Sequence, residues 1–472
     1  MNKKKLGMLI PACVFLFILS LPVSAFGMPG MTVLEQRVIA IFFLAALCWV
    51  LEPFPIFATS ILIITLELVM LSDKGLFLFT SGKGAPGFGK LISYQSIMGT
   101  FASPVIILLL GGFFLAMAAT KYRLDLNLAR VMLKPFGTDP KRVILGIMGI
   151  TAIFSMFMSN TATTAMMLSI LAPVLAVLPE GDRGRTAFAL AIPVAANIGG
   201  IGTPIGTPPN AVAMKYLADL NPITFGEWML FGVPFVAILL VIAWWLLCRL
   251  FPTATPTIEL SINGTFLKNW RALTVYATFG VTILLWVLGS AHGMNSYVVA
   301  IIPVAVFSCT TIITRDDLKL VSWDVLWLLS GGIALGMALE ETGLVARMVG
   351  SIPFASFSPF VVLAAAMLVT LLMANFMSHT ATANLLLPIM AAMATSLSGL
   401  ESMGGAVGLI LAVTFAASLG MSLPISTPPN ALASATGMVE TRDMTKVGVI
   451  IGTLGLVLTG ITLFLLHCVG MI

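Results

Sequence analysis

Apolar and polar positions alternate along this chain on the scale of whole helices. Runs of about 20 predominantly apolar residues, the length that crosses a bilayer as an α-helix, recur from end to end between short polar segments. The charged stretch 121–142 is interpreted as an amphipathic surface helix followed by a turn. Continuous transmembrane helices are predicted at 7–27, 37–51, 55–72, 98–120, 228–250, 272–290, 296–313, 322–343 and 447–469.

Four polar segments interrupt the apolar sequence. We name them tip 1 (158–164), break 1 (202–210), tip 2 (377–383) and break 2 (422–430). Ser, Thr, Asn, Gly and Pro are tolerated at membrane depth where the backbone leaves the helix and lines a cavity. The tips therefore predict two re-entrant hairpins, and the breaks predict two discontinuous helices. The hairpins are placed at 143–178 and 359–398, and the discontinuous helices at 185–219 and 405–438.

The second tip and break repeat the first. Ser159-Asn160-Thr161 aligns with Ser378-His379-Thr380, and almost the same register aligns Thr207-Pro208-Pro209-Asn210 with Thr427-Pro428-Pro429-Asn430. An odd number of crossings in each copy makes the two copies inverted in the membrane. The predicted organisation is an N-terminal helix (1–30), a first inverted repeat (31–250), a cytoplasmic linker (251–271) and a second inverted repeat (272–472).

Composition places the whole chain in a membrane. Of its 472 residues, 59% are hydrophobic and 9% are charged, against roughly 25% charged in soluble domains. The net charge of +5 comes from Lys and Arg residues at helix ends. The sequence has no basic run with interleaved aromatic residues, so it does not predict nucleic-acid binding. The five Cys and three His residues show no metal-ligand spacing. The fold class predicted is thus an all-α polytopic membrane protein with about 11 transmembrane helices plus the two re-entrant hairpins.

Positive charge sets the predicted orientation. Most of the 24 Lys and Arg residues fall on one side if the N-terminus is cytoplasmic, which indicates a multi-pass inner-membrane protein. The first apolar segment is interpreted as a retained helix; the alternative is a signal peptide cleaved near Val23-Ser24-Ala25. Glu67 is expected to reach the outer interface, and the alternative is a functional intramembrane acid.

The tips combine two kinds of binding chemistry. The N-terminus of a half-helix is partly positive and binds anions, whereas the C-terminal carbonyls of the preceding half-helix are partly negative and bind cations. A tip that offers both suits co-transport of an anion with Na⁺. The alternative of another class is a membrane enzyme, but the sequence shows neither a nucleophile–base pairing nor a nucleotide-binding loop.

These motifs resemble the divalent-anion:sodium symporter family, which includes sodium-coupled di- and tricarboxylate carriers. The family is marked by two Ser-Asn-Thr tips and two Thr-Pro-Pro breaks, and the resemblance covers essentially the whole chain. It implies homodimers in which a transport domain moves against a scaffold domain by an elevator mechanism.

The resemblance also implies residue roles. The substrate would be held by Ser159, Asn160, Thr161, Ser378, His379, Thr380, Thr427 and Pro428. The first Na⁺ site would use Ser155, Ser159, Asn160 and Gly206. The second would use Ala374, His379 and Ser426. No metal other than co-transported Na⁺ is expected.

Position 379 departs from the family pattern, which has Asn there. Imidazole offers a nitrogen lone pair and is a poor ligand for Na⁺. Three alternatives stay open: Na⁺ bound by backbone oxygens, a proton on His379 in its place, or Na⁺-independent exchange; His379 as a hydrogen-bonding stand-in for Asn is the structural alternative. The expected function is Na⁺-coupled uptake of small dicarboxylates of the succinate, malate or fumarate type, with an exchanger or proton-coupled carrier as the alternative.

Overall fold

The computed structural model describes residues 3–179, 181–218, 220–258, 265–351, 358–396 and 404–472, and this part of the chain contains helices and loops but no strand. The helices of the first half are α1 (Lys3–Ser20), α2 (Val33–Leu51), α3 (Ile56–Met70), α4 (Phe77–Thr80), α5 (Tyr94–Gly99), α6 (Pro104–Lys121), α7 (Leu124–Leu133), α8 (Pro140–Phe157), α9 (Asn160–Val177), α10 (Gly184–Gly200), α11 (Pro208–Ala218) and α12 (Phe225–Leu250). Those of the second half are α13 (Trp270–Val287), α14 (Gly289–His292), α15 (Ser296–Cys309), α16 (Trp323–Glu341), α17 (Leu344–Ser351), α18 (Pro359–Phe376), α19 (His379–Ser396), α20 (Gly405–Ser418), α21 (Pro428–Ala435) and α22 (Thr441–Cys468).

The all-helical membrane architecture is confirmed. Among the described residues, eight helical segments are long and apolar enough to cross a membrane: α2, α5 continued into α6, α8, α12, α13, α16, α18 and α22. Shorter apolar helices are found in α1, α3, α15 and α20. The predicted number of about eleven spans stays a prediction. So does re-entrance of the hairpins, because their first arms, α8 and α18, are themselves long enough to cross.

The two hairpins turn in the same way. In tip 1, the Met158 amide donates to Phe154 O at 2.8 Å, and in tip 2 the Met377 amide donates to Met373 O at 2.8 Å. The next residue is a serine that caps the second arm: Ser159 Oγ accepts from the Ala162 amide, and Ser378 Oγ accepts from the Ala381 amide. These side chains satisfy backbone donors that the first helical turn leaves open.

The two breaks are also held alike. Asn210 Nδ2 donates to Ile201 O at 3.2 Å and to Thr203 O at 2.8 Å. Asn430, its counterpart in break 2, donates to Met421 O at 2.7 Å and to Leu423 O at 3.0 Å, which are the corresponding carbonyls. An amide therefore closes each irregular loop by pairing carbonyls that have left the helix.

The discontinuous helices resume inside the segments named break 1 and break 2. Their second halves begin at Pro208 and Pro428, before the asparagines that end each break. Proline is favoured in the first helical turn because its missing N–H has no partner there and its φ is already helical. Parts of four predicted segments lie outside the described residues. They are residues 1–2 of the N-terminal helix, 219 at the end of the first discontinuous helix, 259–264 of the linker and 397–398 at the end of the second hairpin.

Helix α16 packs along α3 with unusually close backbones. A Cβ on Gly331 would collide with Cβ of Ser60, so only glycine fits at this crossing. The same helix α3 carries Glu67, whose side chain is fully buried. Neither of its carboxylate oxygens has a hydrogen-bond partner among the described residues, although Lys215 of α11 acts on it electrostatically. The expectation that Glu67 reaches the outer interface was wrong, because neighbouring helices cover this side chain.

Candidate functional site

The two tips and two breaks meet at one cavity of about 770 Å³. Its wall includes residues of α3, α6, α9, α10, α16, α19 and α21 as well as both breaks. Segments from both halves of the chain thus form a single site. All eight predicted substrate residues line it: Ser159, Asn160, Thr161, Ser378, His379, Thr380, Thr427 and Pro428. Their roles as substrate ligands stay predictions.

Four helix N-termini point their first residues at this cavity. Helices α9 and α19 begin at Asn160 and His379, and helices α11 and α21 begin at Pro208 and Pro428; all four residues line the wall. Each N-terminus carries partial positive charge, and those of α9 and α19 also present backbone N–H groups. Helices α11 and α21 each begin with two prolines, which have no N–H to donate. The convergence of the four N-termini favours an anion beside the tips and breaks, without a Lys or Arg side chain among the described residues of the cavity wall, although the Asp324 carboxylate in the same wall opposes it.

Behind tip 1, there are more hydrogen-bond acceptor oxygens than donor hydrogens to pair with them. Ser155 Oγ lies 2.6 Å from Asn160 Oδ1 and 2.7 Å from Ala196 O. A hydroxyl has one hydrogen, so it can donate to only one of these two oxygens. A Cβ on Gly200 would lie 2.9 Å from both Asn160 Oδ1 and Gly206 O, so glycine keeps these oxygens together. Serine, amide and carbonyl oxygens in such a group suit a hard cation such as Na⁺.

Behind tip 2, the corresponding atoms are paired with hydrogens. His379 Nε2 lies 2.8 Å from Gly420 O, and because a carbonyl only accepts, Nε2 carries the proton. Ser426 Oγ donates to Asn375 O at 2.7 Å and accepts from the Leu423 amide at 3.1 Å. A Cβ on Gly420 would collide with Cβ of Ala374, which places this residue at the same spot. The group fits Na⁺ less well than its counterpart behind tip 1.

The residues of the two predicted Na⁺ sites lie apart, one set behind each tip. In each set one residue, Ser155 or Ala374, is fully buried behind the wall, and another, Gly206 or Ser426, lines the cavity. In the second set, the side chain of His379 presents a nitrogen where the first set has the amide of Asn160. Among the described residues, no cluster of three or more His, Cys, Asp or Glu side chains forms a site for another metal.

Three cavity features were missed from the sequence. Asn197 of α10 lines the wall and bonds to break 2 at Thr427 and Asn430. Asp324 of α16 places a carboxylate in the wall, and Asn375 Oδ1 accepts a hydrogen bond from the Ser422 amide of break 2. A polar residue in an apolar helix was the available signal for Asn197 and Asn375, and neither has an identical residue in the other repeat.

A second cavity of about 380 Å³ adjoins the first. The two share Phe113, Ser159, Ala162 and Ser322, and the second extends to Lys121 and Asp317.

At the end of this second cavity, Lys121 Nζ lies 2.6 Å from Asp317 Oδ2. Burial raises the pKa of Asp317, but hydrogen bonds from Lys121 and Thr314 outweigh burial and hold the pKa below its ordinary value. An ion pair between the last residue of α6 and Asp317 thus lines the second cavity.

Known proteins resemble this chain over most of its length. An uncharacterized transporter of Schizosaccharomyces pombe is 31% identical over 412 residues, which are 84% of this chain and 45% of that protein, so the chain spans less than half of that relative. The sodium-dependent high-affinity dicarboxylate transporter 3 of Caenorhabditis elegans is 31% identical over 414 residues, 75% of this chain and 72% of that protein.

The fold and the family agree with these relatives, which are named as transporters. The crystal structure of the Alcanivorax borkumensis YdaH transporter superposes with a TM-score of 0.56 at 14% identity, covering 88% of this chain and 98% of that one. The family model described as the sodium:sulfate symporter transmembrane region matches residues 2–471. The chain therefore belongs to the sodium:sulfate symporter family, the divalent-anion:sodium symporters that its tip and break motifs predict.

Proposed function

We propose that this chain is a secondary active transporter that takes up small dicarboxylates of the succinate, malate or fumarate type together with Na⁺. The observation that carries the proposal is the convergence of four helix N-termini on one cavity. Hydroxyl and backbone N–H groups there can bind carboxylate oxygens without a fixed cationic side chain, which keeps the anion releasable. The name of the Caenorhabditis elegans relative supports the same substrate class and ion.

One Na⁺ would bind behind tip 1. Ser155 Oγ, Asn160 Oδ1 and the carbonyls near Gly200 and Gly206 provide the ligands, because a cation relieves the shortage of hydrogens among them. The bound Na⁺ would also bring positive charge beside Ser159 and the N-terminus of α9. A dianion then binds more strongly when Na⁺ is present, which is the coupling that symport requires.

Alternating access would occur by an elevator movement within a homodimer. The matched hydrogen bonds of the two tips and of the two breaks support an inverted repeat, in which one hairpin faces each side of an inner membrane. The adjoining cavity lined by Lys121 and Asp317 would then be the cytoplasmic entrance, because the distribution of positive residues favours a cytoplasmic N-terminus and a cytoplasmic 121–142 segment.

The test is uptake of radiolabelled succinate by proteoliposomes that contain the purified protein. We expect uptake against a succinate gradient when Na⁺ is outside, and background uptake when choline replaces Na⁺. Equal uptake in the two media refutes symport. If uptake then requires preloaded dicarboxylate, the protein is an exchanger; if it follows an imposed pH gradient, it is proton-coupled.

The second candidate, exchange or proton coupling, is favoured by one observation. His379 Nε2–H occupies the carbonyl of Gly420, where the family pattern predicts ligands of a second Na⁺. A carrier of this kind would have one cation site fewer. The preloading experiment separates this candidate from Na⁺ symport directly.

A further inference from the structure

Asn197 links the first repeat to the second at the cavity wall. It lies on α10, it is 1% exposed, and its Nδ2 is 3.1 Å from Asn430 Oδ1 and 3.2 Å from Thr427 Oγ1. Thr427 is among the predicted substrate ligands. The amide of Asn197 therefore touches a predicted substrate ligand that belongs to the other half of the chain.

The orientation of both amides follows from the backbone. Asn430 Nδ2 donates both of its hydrogens, one to Met421 O and one to Leu423 O. Its Oδ1 must then be the atom that faces α10, and Oδ1 only accepts. Asn197 can approach it only with Nδ2, so the amide of Asn197 cannot be reversed without placing two oxygens against each other.

This arrangement fixes the polarity of the Thr427 hydroxyl. Thr427 Oγ1 accepts from Asn197 Nδ2 at 3.2 Å and from the Asn430 amide at 3.2 Å. A hydroxyl oxygen has two lone pairs, and both are now used. The remaining capacity of Thr427 is its own hydrogen, and the residue lines the cavity.

The first break lacks this device. In the register that aligns the two breaks, the counterpart of Asn197 is Ala417, which has no amide to offer Thr207. Correspondingly, Asn210 Oδ1 has no hydrogen-bond partner among the described residues. The two breaks have the same backbone supports, but only Thr427 has its hydroxyl set by the other repeat.

We propose that Asn197 is a positioning residue that holds the Thr427 hydroxyl as a hydrogen-bond donor to the transported anion. The proposal rests on the proposed function and deepens it, because it determines the chemical class accepted at this point of the cavity. A carboxylate oxygen can accept the Thr427 hydrogen, whereas an amide or ammonium N–H cannot. Asn197 thereby favours a substrate that presents an acceptor-only group to break 2.

A double-mutant cycle in the full-length protein tests this role. Succinate uptake is measured for Asn197→Ala alone and combined with Thr427→Val, which removes the hydroxyl, or with Thr427→Ser, which keeps it. We expect Asn197→Ala to raise KM about tenfold with Thr or Ser at position 427, as loss of a hydrogen bond to a charged group does, while maximal velocity changes less. With Val at position 427, the same substitution should change KM less than about twofold.

Asn197→Ala also removes the hydrogen bond to Asn430 Oδ1. This loss should lower stability equally with Thr, Ser or Val at position 427, so its effect cancels in the cycle. If Asn197→Ala does not fold, Asn197→Leu keeps the number and branching of the side-chain heavy atoms and serves in the same cycle. An equal rise of KM in the Val background refutes the positioning role, since Asn197 would then act elsewhere. A folded wild-type protein that takes up no dicarboxylate refutes the proposed function, and the inference with it.

Discussion

Replacing His379 by Asn tests how the two tips divide the binding of ions. In the structure, the imidazole N–H of His379 points at Gly420 O from 2.8 Å, and the side chain is 7% exposed. The corresponding residue of tip 1, Asn160, instead turns an oxygen toward Ser155 and lies against Gly200. The substitution removes a proton from the space behind tip 2 and supplies an amide oxygen in its place.

The expected magnitude follows from two opposing contributions. Loss of the hydrogen bond between His379 and Gly420 costs ~1 kcal/mol of stability in the absence of Na⁺. A newly formed Na⁺ site stabilises the folded protein by ~2.7 kcal/mol at a Na⁺ concentration ~100-fold above its dissociation constant. The variant should therefore melt below the wild type in choline and above it in concentrated Na⁺.

Transport gives an independent measure of the same site. The Hill coefficient for Na⁺ activation of succinate uptake should rise from about 1 in the wild type to about 2 in His379→Asn, since it is bounded by the number of coupled sites. The substrate preference should change less. The matched control is Asn160→His, which places the same imidazole in tip 1 and should abolish Na⁺ activation. Identical Na⁺ dependence of melting and uptake in wild type and His379→Asn refutes the reasoning.

Two further acidic residues give sharp expectations. Glu67 is fully buried, and neither carboxylate oxygen has a hydrogen-bond partner among the described residues. Glu67→Gln removes an acid whose ionised form burial disfavours, so it should leave the melting temperature unchanged or raise it, and a fall contradicts this reasoning. At the Lys121–Asp317 pair, the lowered pKa of Asp317 means that its stabilisation is present above the unfolded value near 3.8 and is lost as pH falls through the folded value. Melting of Asp317→Asn should therefore lack this part of the acid dependence, and an unchanged acid profile contradicts it.

The sequence could predict the parts of the fold that repeat. Ser159 and Ser378 mark the turns of both hairpins because each caps a helix, and a cap is a local property of neighbouring residues. Asn210 and Asn430 mark the breaks for the same reason, since each bonds carbonyls that lie shortly before it in the chain.

Contacts between distant segments could not be predicted in this way. Glu67 was assigned to an interface because nothing near it in sequence reveals that helices from distant parts of the chain enclose it. Asn197 was overlooked because its partners, Thr427 and Asn430, lie in the other repeat, and its counterpart Ala417 gave no duplicate to notice. The periodicity of one helix shows which face is apolar, but not which neighbour packs against it.

The differences between the repeats are more informative about mechanism than their similarity. The two tips and the two breaks have the same backbone supports, and a few differences in side chains give the two pockets opposite chemistry. Ser155, Asn160 and Gly206 leave oxygens short of hydrogens behind tip 1, whereas His379 supplies an N–H behind tip 2. Asn197 extends the same division across the cavity, because it turns the break 2 hydroxyl into a donor. The asymmetry therefore bears on how many Na⁺ ions would accompany each anion, since two identical pockets would offer the same cation site twice.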